Sequence, residues 1–167
     1  MKQDAKKTGD TAAALTFATV AVMLISVTWL SVPASAQHEE KKPMLQSAPV
    51  ITFLATKDSD KSKAFFRDKL KLKLVADEPF ALAFDSGGTM LRISKVKEIT
   101  VAPYTVLGWK VKDIVDTVKQ LAGDGVKFEK FQGFDQDELG IKTFPGGDKV
   151  AWFKDPDGNM LSLTQFP

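Results

Sequence analysis

The chain has 167 residues, a formal net charge of +2 and no cysteine. The lack of cysteine excludes disulfides, thiolate metal sites, cysteine nucleophiles and a lipid-modified cysteine. The near balance of charge, without a dense basic stripe, argues against nucleic acid as a partner.

The first 36 residues are predicted to be an export signal. Lysines at positions 2, 6 and 7 precede an almost wholly apolar stretch at 11–32, and the ASA run at 34–36 fits a signal-peptidase site. An uncleaved membrane anchor is the competing interpretation, because about 20 apolar residues cross a bilayer. Helix-breaking Pro33 favours cleavage. Either way, the body of the protein is expected in a bacterial periplasm or secreted, with membrane contact only through an uncleaved segment.

Residues 37–47, QHEEKKPMLQS, are polar and are interpreted as a flexible linker. The single histidine, His38, lies in this linker and is expected to be solvated rather than functional. Residues 48–167 suit one domain with its own core. Setting aside the three lysines and two aspartates of the first 36 residues leaves a net charge of +1 for the rest.

From residue 48 the pattern predicts a strand, a helix and three further strands. APVITFLAT (48–56) has the composition of a strand, and Asp58 and Ser59 offer caps for a helix over about 60–70. The apolar side of that helix is predicted to comprise Ala64, Phe65, Phe66 and Leu70. The strand-like runs LKLVADE, PFALAFDS and TMLRISKV follow, the last two joined by a hairpin turn at Gly87 and Gly88.

After Pro103 the same order begins again. YTVLGWKV predicts a strand, Asp113 caps a helix to about residue 122, and Gly123 and Gly125 end that helix. The buried side of this second helix is predicted to be Ile114, Val118 and Leu121. VKFEKF, IKTF, KVAWFK and MLSLTQF predict three or four more strands. The fold is therefore predicted to be α+β, with two packed copies of a repeated unit at about 48–100 and 104–167.

Two stretches carry a resemblance to a known superfamily. KDSDKSKAFFRDKLKLKLV (57–75) resembles the first-helix signature of the glyoxalase, bleomycin-resistance and extradiol-dioxygenase superfamily, also called vicinal oxygen chelate. FKDPDGNMLSL (153–163) resembles the strand, turn and strand that close its second module. The resemblance implies a pair of βαβββ modules whose sheets curl around a shared cavity. Lys71 stands where the superfamily usually has a glycine.

The resemblance also implies where a metal ion would be held. The superfamily's metal enzymes take one ligand from the first and one from the last strand of each module, and these positions fall on Ile51, Arg92, Val106 and Ser162. Aliphatic side chains have no lone pairs, arginine has the wrong charge, and a lone serine hydroxyl is a poor ligand for a divalent ion. We therefore expect no metal at the superfamily's site and no other cofactor. Glu78, Glu98, Glu129 and Glu138 are the carboxylates that would have to form a different metal site, and their spacing does not indicate one.

Strand alternation predicts that Arg92 and Ser162 face the cavity, because their leucine and isoleucine neighbours face the core. A guanidinium in a partly desolvated pocket binds a carboxylate or phosphate with matching geometry. The proposed ligand-binding residues are Arg92, Ser162, Thr164, Trp152, Lys110 and Phe53. The alternative is that Arg92 pairs internally with an acidic side chain or reaches solvent.

Several other features have both a functional and a structural interpretation. Phe53, Phe84, Trp152 and Phe134 line an apolar pocket in one interpretation and fill the core in the other. Phe153 and Trp109 are predicted to face the core. The acidic loop GFDQDELG (133–140) is a lid in one interpretation and a solvated connection in the other. Asp155 and Asp157 are predicted to be turn residues rather than catalytic carboxylates.

Two functions from different classes follow. The first is an exported, non-catalytic module that binds a small organic ligand, anionic or carbonyl-bearing, without a metal ion. The second is an enzyme with an atypical site, either a glyoxalase-like lyase or isomerase or a dioxygenase. The enzyme is the less favoured, since no cysteine is present, the only histidine lies outside the domain, and no nucleophile and base are paired. The resemblance also allows a homodimer, because modules of this superfamily often pair between chains.

Overall fold

A computed structural model describes residues 45–167, which form two successive modules with the same order of elements. The first contains β1 (Ile51–Thr56), α1 (Ser59–Ala64), a π-helical turn (Phe65–Lys69), β2 (Lys73–Glu78), β3 (Ala81–Ser86) and β4 (Thr89–Lys95). The second contains β5 (Thr105–Lys110), α2 (Ile114–Gly123), β6 (Ile141–Thr143), β7 (Lys149–Lys154) and β8 (Met160–Gln165). The predicted export signal and most of the predicted linker lie outside the described residues. Within residues 45–167, no helix is long and apolar enough to span a membrane.

Each module forms one four-stranded mixed sheet, with orders β1-β4-β3-β2 and β5-β8-β7-β6. The first strand of each module pairs in parallel with the last, and the other pairs are antiparallel. The hairpin between β3 and β4 turns at Gly87 and Gly88, whose φ angles of 60° and 86° favour glycine. These features confirm the predicted α+β class and the repeated βαβββ unit.

The helix of the first module begins as predicted and then widens. The Asp58 carboxylate accepts a hydrogen bond from the backbone N–H of Lys61 and so caps α1. The π-helical turn follows, in which the Leu70 N–H donates to the Phe65 carbonyl oxygen at 3.0 Å. Phe65 and Phe66 are both buried, whereas the prediction for Ala64 is wrong, because it faces solvent.

The second module has three strands after its helix, within the three or four that were predicted. Of the four runs considered, 126–131 is the one that forms no strand and makes only an isolated bridge between Phe128 and Phe153. Beyond the bond from the Glu129 N–H to the Trp152 carbonyl oxygen, at 2.7 Å, the chain leaves the sheet. The side chain of Gln136 there bonds backbone groups of the loop that a neighbouring strand would otherwise satisfy. α2 is capped by Asp113 as predicted, and Gln165 also accepts a bond from the Ile114 N–H at 2.9 Å.

A single core joins the two modules. The ring centroids of Phe66 and Phe84, both in the first module, are 5.7 Å apart. Those of Phe65 and Phe153, which belong to different modules, are 6.4 Å apart. Phe84 is fully buried, so the interpretation of this ring as a pocket residue is wrong. Trp109 stacks on Phe153 at 6.2 Å, as predicted for the core side of its sheet. The core cluster extends from Leu54 in β1 to Leu163 in β8.

Candidate functional site

The sheet face opposite the core, here called the outer face, carries the predicted site residues. In β4, Leu91 and Ile93 are buried in the core, so Arg92 between them projects from the outer face. Phe53 pairs with Arg92 in the parallel register of β1 and β4 and therefore lies on the same face. The Phe53 side chain is open to solvent, since 62% of the residue is exposed. Ile51 and Met90 form the next pair on the same face of these two strands.

The Arg92 guanidinium is held by Glu78. Arg92 Nη2 donates to Glu78 Oε2 at 2.9 Å, and both side chains are partly exposed. A β-bulge between Leu74 and Ala76 changes the facing of the residues that follow, which places Glu78 opposite Ala81 on the outer face. This ion pair was one of the alternatives open for Arg92, and its partner was not predicted. Among the described residues it is the only hydrogen bond of Arg92, so most of the five guanidinium N–H donors remain unused.

Ser162 occupies the corresponding place in the second module. It pairs with Gly108 of β5 and Trp152 of β7, so these three lie on the outer face, and Thr164 follows on the same face of β8. Gly108 leaves room for the serine, because a Cβ at this position would lie 2.6 Å from Ser162 Oγ. Ser162 is 6% exposed, and its hydroxyl makes no hydrogen bond within residues 45–167.

An aromatic cluster covers the outer face beside Ser162. The Trp152 ring contacts Phe131 and Phe134 edge to face, with centroids 5.8 and 5.7 Å away, and donates to Thr105 Oγ1 at 3.1 Å. The Gln136 amide bonds the Phe131 N–H and the carbonyl oxygens of Glu129 and Gly140. The loop from 131 to 140 is thus attached to the sheet by its aromatic residues and bound to itself, a feature that the acidic sequence of the loop did not indicate.

The free edges of the two sheets lie side by side. A cavity of about 180 Å³ is lined by Thr52 of β1 together with Gly108, Trp109 and Lys110 of β5. At the other end of β1, the Asn159 amide donates to the Ala55 carbonyl oxygen at 3.3 Å. The β1 and β5 edges therefore approach each other. On the outer face of the first sheet Arg92 pairs with Phe53, and on that of the second sheet Ser162 pairs with Gly108 and Trp152. The six predicted ligand-binding residues lie on the outer faces of the two sheets, Arg92 and Phe53 on the first and the other four on the second. Lys110 lies at the end of β5, with its Nζ 5.3 Å from the Phe166 ring centre.

The residues at the superfamily's metal positions do not fit a metal ion. Ile51, Arg92, Val106 and Ser162 offer one hydroxyl oxygen among them, and the guanidinium of Arg92 would repel a cation. Within residues 45–167, no group of three histidine, aspartate or glutamate side chains is arranged to bind a metal. Of the carboxylates considered above, Glu78 binds Arg92, and Glu129 binds Lys154 Nζ at 2.9 Å.

The two aspartates of the DPDG turn are structural, as predicted. Asp155 accepts bonds from the backbone N–H groups of Asp157 and Asn159, both at 2.9 Å, and burial raises the pKa of its carboxyl. Asp157 accepts from the Thr56 hydroxyl at 2.5 Å and from the Lys57 N–H at 3.0 Å, so it ties the second module to the first. Gly158, at φ 92°, supplies the left-handed position of this turn.

The family is decided by a sequence comparison. The model of the Glyoxalase/Bleomycin resistance protein/Dioxygenase superfamily matches residues 48–163, which span both modules. The chain belongs to this superfamily. No curated protein matches it in sequence.

Solved structures of the superfamily share the fold. A lactoylglutathione lyase from Agrobacterium tumefaciens is 19% identical with a TM-score of 0.56, over 71% of this chain and 93% of that one. A glyoxalase/bleomycin resistance protein from Catenulispora acidiphila is 18% identical with a TM-score of 0.56, over 72% of this chain and 100% of that one. A glyoxalase/bleomycin resistance protein/dioxygenase from Alicyclobacillus acidocaldarius is 18% identical with a TM-score of 0.55, over 72% and 92%. At these identities the likeness concerns the fold alone.

Proposed function

We propose that this member of the superfamily is exported and binds a small organic ligand, anionic or carbonyl-bearing, at Arg92 without a metal ion. The observation that carries the proposal is the guanidinium of Arg92, held by one bond to Glu78 beside the open apolar surface of Phe53, Ile51 and Met90. A fixed cation next to uncovered apolar side chains suits a ligand with an acidic end and an apolar body.

Magnitudes indicate that both halves of such a ligand matter. A hydrogen bond to a charged group contributes about 1.5–3 kcal/mol. Covering about 100 Å² of apolar surface contributes about 2.5 kcal/mol at about 25 cal/mol per Å². Since association itself has a cost of at least about 4 kcal/mol, neither contribution alone gives useful affinity. Aromatic or branched carboxylates are therefore better probes than formate or acetate.

The experiment is a calorimetric titration of the protein with benzoate. Arg92→Ala should abolish detectable binding, and Arg92→Lys should weaken it about tenfold, because a lysine keeps the charge and loses the two-pronged geometry. Glu78→Gln should tighten binding, since it removes the carboxylate that competes with the ligand. Arg67→Ala is the matched control, because Arg67 is the other arginine of the chain and pairs with Asp68 on the helix surface. Equal affinities in wild type and Arg92→Ala would refute the proposal.

A glyoxalase-like isomerase is the second candidate, favoured by the position of Glu78. Its carboxylate lies 2.9 Å from the guanidinium. On an α-hydroxy carbonyl substrate, Arg92 would polarise the carbonyl while Glu78 takes the proton from the adjacent carbon and returns it to the carbonyl carbon, as the hydroxyl proton passes to the former carbonyl oxygen. Glu78→Gln separates the two candidates. It should retain or tighten binding in both cases and should eliminate turnover only if the protein is an enzyme.

The export proposal rests on the amino-terminal sequence, with its lysines, apolar stretch and ASA run before residue 37. Expression of the full chain in a bacterium with a cleavable-signal pathway should give a periplasmic product that begins at Gln37. If mass spectrometry shows that the product retains residues 1–36, this segment is an uncleaved membrane anchor.

A further inference from the structure

A second cavity lies on the core side of the sheets, between the end of the first module's helix and α2. Its volume is about 230 Å³, and its lining comprises Leu70, Leu72, Trp109, Lys110, Val111, Thr117, Leu121, Phe153 and Leu163. Trp109 and Leu163 face away from the outer face that carries Ser162, so this cavity is separate from the Arg92 site. Leu70, Leu72 and Leu121 are only partly buried, which leaves the apolar wall in contact with water.

The polar groups of the lining are already used or directed elsewhere. Trp109 Nε1 donates to Ser86 Oγ at 2.7 Å, and Thr117 Oγ1 donates to the Asp113 carbonyl oxygen at 2.6 Å. Lys110 pairs with Thr164 on the other face of its sheet, where its ammonium lies over Phe166. The lining contains no carboxylate. These features disfavour both a cation and a ligand that needs several hydrogen bonds.

The aromatic residues define the shape of the ligand. Trp109 and Phe153 stack with centroids 6.2 Å apart and planes 20° apart, and both border the cavity. Flat rings pack favourably against such walls in offset or edge-on arrangements. An apolar cavity of about 150 Å³ is known to bind benzene, so the larger volume here suits one substituted ring or two fused rings. We propose that this cavity is a binding site for a small uncharged aromatic molecule, independent of the ligand proposed at Arg92.

The test uses Trp109 as a reporter and iodobenzene as the probe, since iodine quenches indole fluorescence on contact. Residues 41–167 form a compact unit that contains the whole core, so this span is produced alone. Its two tryptophans are Trp109 and Trp152, and Trp152→Phe leaves Trp109 as the only one. Iodobenzene should quench Trp109 in a saturable manner. Quenching that rises linearly with concentration would overturn the proposal.

Paired variants at Thr117 locate the site. Thr117→Phe places a ring in the cavity and should weaken saturable quenching at least tenfold, whereas Thr117→Ala loses the same hydroxyl bond and should retain it. If quenching is equally saturable in both folded variants, the probe binds elsewhere and the proposal fails. Should Thr117→Phe not fold by circular dichroism, the Trp109→Phe protein decides, since saturable quenching of its remaining Trp152 would also contradict the assignment.

Discussion

Lys71 shows how one residue can depart from the superfamily pattern without altering the fold. It is the one non-glycine residue with a positive φ, 57°, in the part of the chain that the structure describes. The superfamily usually has glycine here because this left-handed conformation disfavours a Cβ. Lys71 adopts this conformation nevertheless, and its ammonium donates a hydrogen bond to the Asp68 carbonyl oxygen at 2.5 Å. The positive φ of residue 71 therefore explains why the superfamily usually has glycine at this position.

Lys71→Gly should raise the free energy of unfolding by about 1 kcal/mol, because it relieves the unfavourable φ. The contacts that the wild-type Lys71 ammonium makes with Asp68 and Asp124 are exposed, so their loss costs little stability. Lys73→Gly, two residues on in extended β2, is the control and should lower stability by about 1 kcal/mol. Urea unfolding measures both changes, and a destabilised Lys71→Gly protein would contradict the explanation.

Single elements explain which features the sequence could predict. β4 was predictable because buried Leu91 and Ile93 alternate with Arg92, and the caps of both helices follow from Asp58 and Asp113. These signals are local. The partner of Arg92 was not predictable, because the bulge in β2 decides which face Glu78 occupies. The packing of the 131–140 loop on Trp152 depends likewise on contacts that no local pattern encodes.

The same bulge in β2 turns Asp77 toward the core side of the sheet, where it binds two lysines. Asp77 lies opposite Leu82 on the core side, where Lys63 of α1 and Lys95 of β4 reach it at 2.6 and 2.7 Å. The hydrogen bond from Lys63, and then the one from Lys95, hold the pKa of Asp77 below its usual range. This carboxylate therefore connects the helix to two strands.

Acid should weaken this connection. Because the pKa of Asp77 is lower in the folded than in the unfolded state, its contribution to stability is complete above the unfolded value of about 3.8 and is lost as the pH falls through the folded value. The stability difference between wild type and Asp77→Asn should thus shrink from pH 6 to pH 3. Asp135→Asn, at a fully exposed side chain, should follow the wild-type pH dependence. If the stability difference between wild type and Asp77→Asn stays the same from pH 6 to pH 3, the negative charge of Asp77 does not contribute to stability.

At the scale of the whole molecule, the repeated modules should unfold as one unit. Their core is continuous through Phe65, Phe153 and Trp109, and Asp157 links the turn between β7 and β8 to β1. Fluorescence and far-ultraviolet circular dichroism should therefore give one coincident urea transition. Asp157→Ala should lower stability by about 1–3 kcal/mol, since it leaves the O–H of buried Thr56 without an acceptor, although the hydroxyl oxygen still accepts from the Asp58 N–H. Two separate transitions in the wild type would show that the modules are independent.

We propose that Arg92 takes the place of a metal ion in this member of the superfamily. The most direct test of this proposal is metal content measured together with the melting temperature of residues 41–167, with divalent ions or benzoate, in wild type and Arg92→Ala. We expect no stoichiometric ion, no stabilisation by divalent ions, and a rise in melting temperature with benzoate that Arg92→Ala abolishes. A stoichiometric divalent ion that raises the melting temperature would contradict it.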